Sequence, residues 1–164
     1  MGDEMELPKR KQLRLKEYDY SSNGGYFITI CTHAHKCLFG NVGADSISAR
    51  MIDEIFHKTI NEYQNIFCDK YVIMPNHFHA IIVISRVDME STPTISQIIQ
   101  SFKRNTTIEY IKLVKCGVLP PFDGHIWQRS FYDHVIRNQK SYEEIWQYID
   151  TNPLKWELDR YYVE

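Results

Sequence analysis

Apolar residues along the chain switch between two periods, and the switches mark its elements. Tyr26 to Thr32 is rich in β-branched and aromatic residues, a strand signal, and follows the turn cluster Ser21-Ser22-Asn23-Gly24-Gly25. Cys37-Leu38-Phe39, just before Gly40, is a candidate extension or partner of that strand. From Ser46 to about Gln64 the period becomes helical, with Met51, Ile52, Ile55, Phe56 and Ile60 on one side and polar residues between them. Phe67 to Met74 reads as a strand again, and Pro75-Asn76 breaks it. His77 to Ser85 is the next strand. It is apolar on both faces, with Phe78, Ala80, Ile82 and Ile84 opposed to Ile81 and Val83, which marks a central strand.

Ser91-Thr92-Pro93 opens a helix from about Thr94 to Val114, with the core stripe Ile95, Ile98, Ile99, Phe102 and Leu113. Gly117 to Gly124, with Pro120-Pro121, is a loop, and a short aromatic strand is expected within Ile126 to Ile136. Ser141 to about Thr151 is the last helix, with Ser141 and Glu144 as a capping box and Pro153 as its stop. Strands separated by helices, with one adjacent central pair, predict an α+β fold: a ferredoxin-like antiparallel sheet with helices packed on it.

The 164 residues suit one domain, expected over 21–164, behind a basic arm at 1–20. The net charge of −2 excludes a globally basic nucleic-acid coat. Charge is uneven, however: Lys9, Arg10, Lys11, Arg14 and Lys16 crowd the arm, whereas Glu143 to Glu164 leans acidic. Such an arm is either a phosphate grip or a solvated terminus. Cys31, Cys37, Cys68 and Cys116 form no Cys-x-x-Cys pair, and reduced, mostly buried thiols are expected. With no apolar signal region and no run near the ~20 residues of a membrane span, a cytoplasmic protein without membrane contact is expected.

Chemistry concentrates at few positions. In His77-Phe78-His79 the histidines lie two apart on a strand, so both face one way, about 7 Å apart, while Phe78 faces the core. They are a candidate metal pair, or two satisfied, half-buried histidines. His33-Ala34-His35 has the same spacing at a strand end, as an accident, a phosphate contact or a second metal site. In the last helix Tyr142, Ile145, Trp146 and Ile149 define a buried stripe, with Tyr148 and Asn152 one turn apart on its flank. Tyr132 and His134 share a strand face, and His134 is a further ligand, an acid/base or a packed residue. Lys103, Arg104, Arg129 and Arg137 are natural phosphate partners. Trp127, Tyr18 and Tyr20 are candidates for base stacking or for packing.

Taken together, four blocks resemble the single-tyrosine HUH transposases of the insertion-sequence-200 type, and more closely the REP-associated tyrosine transposases. They are Arg14-Leu15-Lys16-Glu17-Tyr18-Asp19-Tyr20 running into Gly25-Tyr26-Phe27-Ile28-Thr29-Ile30-Cys31-Thr32; Tyr71-Val72-Ile73-Met74-Pro75-Asn76-His77-Phe78-His79; Trp127-Gln128-Arg129-Ser130-Phe131-Tyr132-Asp133-His134-Val135-Ile136-Arg137; and Tyr148-Ile149-Asp150-Thr151-Asn152-Pro153. The resemblance implies a ferredoxin-like sheet, cleavage of single-stranded DNA near hairpins and a covalent 5′-phosphotyrosine intermediate. By the same resemblance, His77 and His79 match metal-binding histidines, Tyr148 matches the nucleophile, and Asn152 stands as the third ligand of Mg²⁺ or Mn²⁺. DNA contacts are expected from Lys9, Arg10, Lys11, Arg14, Lys103, Arg104, Arg129 and Arg137, in a monomer or homodimer. The rival readings are a replication-initiator-type nickase, a non-catalytic module that binds DNA or RNA hairpins, and a domesticated regulator.

Overall fold

The computed structural model describes residues 24–42, 46–85 and 93–163. Seven main elements follow one another: β1 (Gly24–Cys31), α1 (Ile47–Asn61), β2 (Ile66–Met74), β3 (His77–Ile84), α2 (Ile95–Lys115), β4 (Tyr132–Ile136) and α3 (Gln139–Thr151). The strands form one sheet in the order β2-β3-β1-β4, antiparallel at every junction. This is the expected ferredoxin-like α+β architecture. β3 is an inner strand, and its two faces are both covered, by α1 and α2 on one side and by α3 on the other, which explains why both are apolar.

The two sheet faces are unequal. Tyr26, Ile28 and Ile30 of β1 and Phe78, Ala80 and Ile82 of β3 pack against α1 and α2 in the main core. On the opposite face Phe27, Ile81 and Ile149 form a small cluster beneath α3. Period 2 therefore sends His77 and His79 to the α3 face, away from buried Phe78.

Helix starts follow local capping. Ser46 caps α1 by accepting from the Ala49 amide at 3.0 Å, and Thr94 caps α2 in a reciprocal box with Gln97. The expected box at Ser141 is not formed. The Asn138 side chain instead accepts from the Ser141 amide at 2.8 Å, so α3 begins two residues earlier. Cys37-Leu38-Phe39 is not a strand; Phe39 is buried in the core and its amide donates to the Pro75 carbonyl. Within 126–136 the ladder covers only Tyr132–Ile136, plus an isolated bridge between Trp127 and Thr32. The four cysteines are free thiols, but Cys37 and Cys116 are exposed, since each sits in a connecting segment rather than on a core face. No described helix is long and apolar enough to cross a membrane. The basic arm at 1–20, with Lys9, Arg10, Lys11, Arg14, Tyr18 and Tyr20, lies outside the described residues.

Candidate active site

The floor of the site is the start of β3. His77 and His79 are fully buried, and their rings lie 4.6 Å apart. Which ring nitrogen faces the site follows from the neighbours. Asn76 donates its Nδ2 to the carbonyls of His35 at 3.0 Å and Tyr161 at 2.7 Å, which fixes the amide orientation. Its Oδ1 must then accept from His77 Nδ1, 2.8 Å away, leaving the His77 Nε2 lone pair free. His79 is oriented alike: Nδ1 meets Thr29 Oγ1 at 2.8 Å, and Nε2 faces Tyr148.

The roof is α3 and the segment after it. The Tyr148 hydroxyl lies 3.3 Å from His79 Nε2 and donates to Asp159 Oδ2 at 3.3 Å. One turn on, buried Asn152 donates Nδ2 to the same carboxylate oxygen at 2.7 Å. Its Oδ1 is an acceptor with no donor, and so is His77 Nε2. Ligand atoms of His77, His79 and Asp159 all lie within 4.8 Å of one another. Two imidazole lone pairs, a carboxylate and an amide oxygen thus converge, two of them buried and unmatched. Such a donor set fits a divalent cation, because burying lone pairs without a partner is costly.

Electrostatics fit the same reading. Burial holds the His77 imidazole down to about 4, and His79 is lowered by burial and by His77. Both rings therefore carry lone pairs at neutral pH. Burial, then Asp159, pushes the Tyr148 phenol up to about 12. Around the pair, Tyr161 covers His77 at 4.8 Å between ring centroids and stacks on His35 at 5.5 Å.

The model for IS200-like transposases matches residues 21–152. The chain belongs to the IS200-like transposase family. An uncharacterized Haemophilus influenzae protein is 33% identical over 94% of each chain. A REP-associated tyrosine transposase of Escherichia coli is 29% identical over 52% of this chain and 42% of its own length. Among solved structures, a REP-associated tyrosine transposase bound to a REP hairpin superposes with a TM-score of 0.62 at 23% identity, covering 89% of this chain and 77% of that one. Membership implies a DNA-cleaving enzyme.

In this transposase the structure gathers four of the residues singled out by sequence: Tyr148, His77, His79 and Asn152. His134 stands apart, exposed on β4 opposite Phe27, one step along the sheet from Thr29. The His33/His35 pair is not convergent. Ala34 and His35 both have φ of +53°, so the strand geometry is lost; His33 turns to His125, and His35 turns to Tyr161. Trp127 is a core residue whose indole donates to Thr106 at 2.8 Å. Lys103 is partly buried and donates to the carbonyls of Gln128 and Ser130 at 2.8 and 2.9 Å, so its ammonium anchors the approach to β4. Exposed Arg104 and Arg129 line one open groove of about 410 Å³ beside α2, and Arg137 is exposed beyond β4. In the expected stripe of α3, Trp146 is exposed and lies over Lys70 instead of in the core. Sequence reasoning missed Asp159, Arg160 and Tyr161, where the only available signal was an acidic-leaning tail without periodicity.

Proposed function

We propose that this transposase is a single-strand DNA endonuclease and strand transferase that cuts near DNA hairpins through a 5′-phosphotyrosine on Tyr148. His77, His79 and Asn152 would hold Mg²⁺ or Mn²⁺, with the Asp159 carboxylate beside them. When bound, the ion supplies Lewis-acid polarisation of the scissile phosphate. The observation that carries the reading is the convergence of unmatched acceptors, His77 Nε2 and Asn152 Oδ1, beside the Tyr148 hydroxyl.

The protein residues have definite tasks. A phenol held near 12 is protonated at neutral pH and needs a proton acceptor in place. Asp159 Oδ2 already accepts from it at 3.3 Å. As the Tyr148 oxygen bonds to phosphorus, its proton passes to Asp159. The bond from phosphorus to the 3′-oxygen breaks, and that oxygen takes a proton from water, which regains one from Asp159, so that the net transfer is from Tyr148 to the 3′-oxygen. A phosphodiester is exchanged for an aryl phosphodiester, so no nucleotide cofactor is needed, and later attack by a DNA 3′-hydroxyl releases Tyr148. Thr29 and Asn76 keep both imidazoles in the orientation that presents Nε2. Arg104, Arg129, Arg137 and the N-terminal cations would hold backbone phosphates, in a protein acting in the cytoplasm as a monomer or homodimer.

The test is a labelled single strand with its native flanking hairpins, incubated with Mn²⁺ and resolved in SDS. Wild type should form a covalent adduct and Tyr148→Phe none. An adduct that survives Tyr148→Phe would mean another tyrosine attacks. No adduct from wild type on any cognate strand would leave a hairpin-binding module.

A further inference from the structure

The Tyr148 ring separates two open clefts. One, of about 400 Å³, runs along Gln147, Thr151, Asn152 and Asp159. The other, of about 350 Å³, lies towards β4 and is bounded by Phe27, Tyr132, Ile145, Tyr148, Glu144 and Arg160. The site chemistry described above uses only the first.

The walls of the second cleft are aromatic and ordered by one another. Phe27 stacks on His79 at 5.3 Å and presents its ring edge-on to Tyr148 at 6.0 Å and Tyr132 at 6.4 Å. Phe27 is buried and fixed by the cluster under α3, whereas Tyr132 is 40% exposed and has only the Arg160 guanidinium, at a loose 6.0 Å, over its ring. Arg160 closes one end, its guanidinium 6.0 Å from the Tyr132 ring and 4.6 Å from the Tyr161 ring. Arg160 and Tyr148 line the same cleft, which sets the guanidinium on the side of the nucleophile.

We infer that this cleft is a nucleotide subsite: it takes the unpaired base of a nucleotide adjoining the scissile phosphate, stacked on Tyr132, with Arg160 on that nucleotide's phosphate. The inference rests on the proposed attack by Tyr148. A flat aromatic wall next to a cation matches one nucleotide of a single strand, whose base faces are free; in a duplex they are covered by neighbouring bases. The cleft shares Tyr148 with the first one, so a strand whose phosphate reaches the nucleophile brings its adjoining base to Tyr132. A volume near 350 Å³ lies at the small end of ligand pockets, which suits one nucleotide rather than a base pair.

The experiment measures adduct formation by the full chain on a cleavable single strand, intact or with one abasic site at each position flanking the scissile phosphate. Adduct on the intact strand is read first, because its absence removes the Tyr148 reading and this subsite with it. Given an adduct, one flanking position should raise KM roughly ten- to hundred-fold when made abasic, the usual range for a base–aromatic stack. Tyr132→Ala should raise KM on the intact strand by a similar factor and lose the distinction between intact and abasic strands, and Tyr132→Phe should restore it. Arg160→Ala should weaken both strands alike and lower the salt dependence of binding by about one phosphate contact. If wild type cleaves but discriminates against no abasic position, or if Tyr132→Ala keeps the full discrimination, the subsite is wrong and the nucleophile assignment stands.

Discussion

The histidine pair is defined by where its protons cannot go. Asn76 commits its Nδ2 to two carbonyls, and this single constraint settles the His77 tautomer and leaves Nε2 bare in a buried site. Burial lowers His77 to about 4 from an ordinary 6.5. In the unfolded chain that ring takes up a proton as pH falls below about 6.5, while the folded chain refuses it until about 4. The unfolded state thus binds more protons across this window, so stability present at neutral pH is lost on acidification. Between pH 7 and pH 5 the metal-free protein should lose roughly 2 kcal/mol from His77 alone, with His79 adding in the same direction. Urea unfolding at the two pH values checks this, and His77→Gln should flatten the difference. An unchanged pH dependence in that variant would mean that His77 is not held neutral.

At the scale of the element, α3 carries the nucleophile yet buries only Ile149 completely. Its position depends on polar ties to the edge strand. An irregularity in the β2 register between Cys68 and Lys70 frees Asp69 to accept from the Tyr142 hydroxyl, and Lys70 pairs with Asp150 at 2.6 Å while lying 4.0 Å over Trp146. The ion pair is partly exposed and worth about 0.5–1 kcal/mol, and the cation–π contact about as much. A slight misplacement of a reacting group, by contrast, costs about a hundred-fold in rate. Lys70→Ala should therefore slow adduct formation roughly tenfold or more, with thermal stability lowered only slightly and DNA affinity nearly unchanged; Lys70→Arg should recover most of the rate. Equal losses of rate and affinity in rapid-quench and binding measurements would count against this role. The existence of α3 was legible in its period, and so was the flank shared by Tyr148 and Asn152. Its start was not, because Asn138 outcompetes Ser141 as the cap, and neither was the exposure of Trp146, which depends on a lysine from a strand 76 positions earlier.

Across the whole molecule, the ferredoxin-like order was legible because each strand and helix announces its period, and the two-faced pattern of β3 made its central place unavoidable. The closing segment was illegible for the opposite reason. Asp159 and Tyr161 follow a 3₁₀ segment, Pro153–Leu158, with no apolar period, and they are placed by contacts such as the Asn76 amide on the Tyr161 carbonyl, 85 residues away. The candidate metal site therefore joins three stretches of chain: the start of β3, the end of α3 and the tail. An ion bound there stabilises the folded state alone, by about 2.7 kcal/mol at a hundred-fold excess over its Kd. For a chain of this size that corresponds to roughly 5–10 °C in melting temperature. Melting the protein with Mn²⁺ and again after chelation should show this rise and its reversal, with no rise in His77→Ala. Asp159→Ala should reduce it by loosening the tail's tie to Asn152 and Tyr148. A rise of the same size in wild type and His77→Ala would place the ion elsewhere, and no rise at saturating Mn²⁺ would leave the converging acceptors of β3 and α3 without the cation that their chemistry calls for.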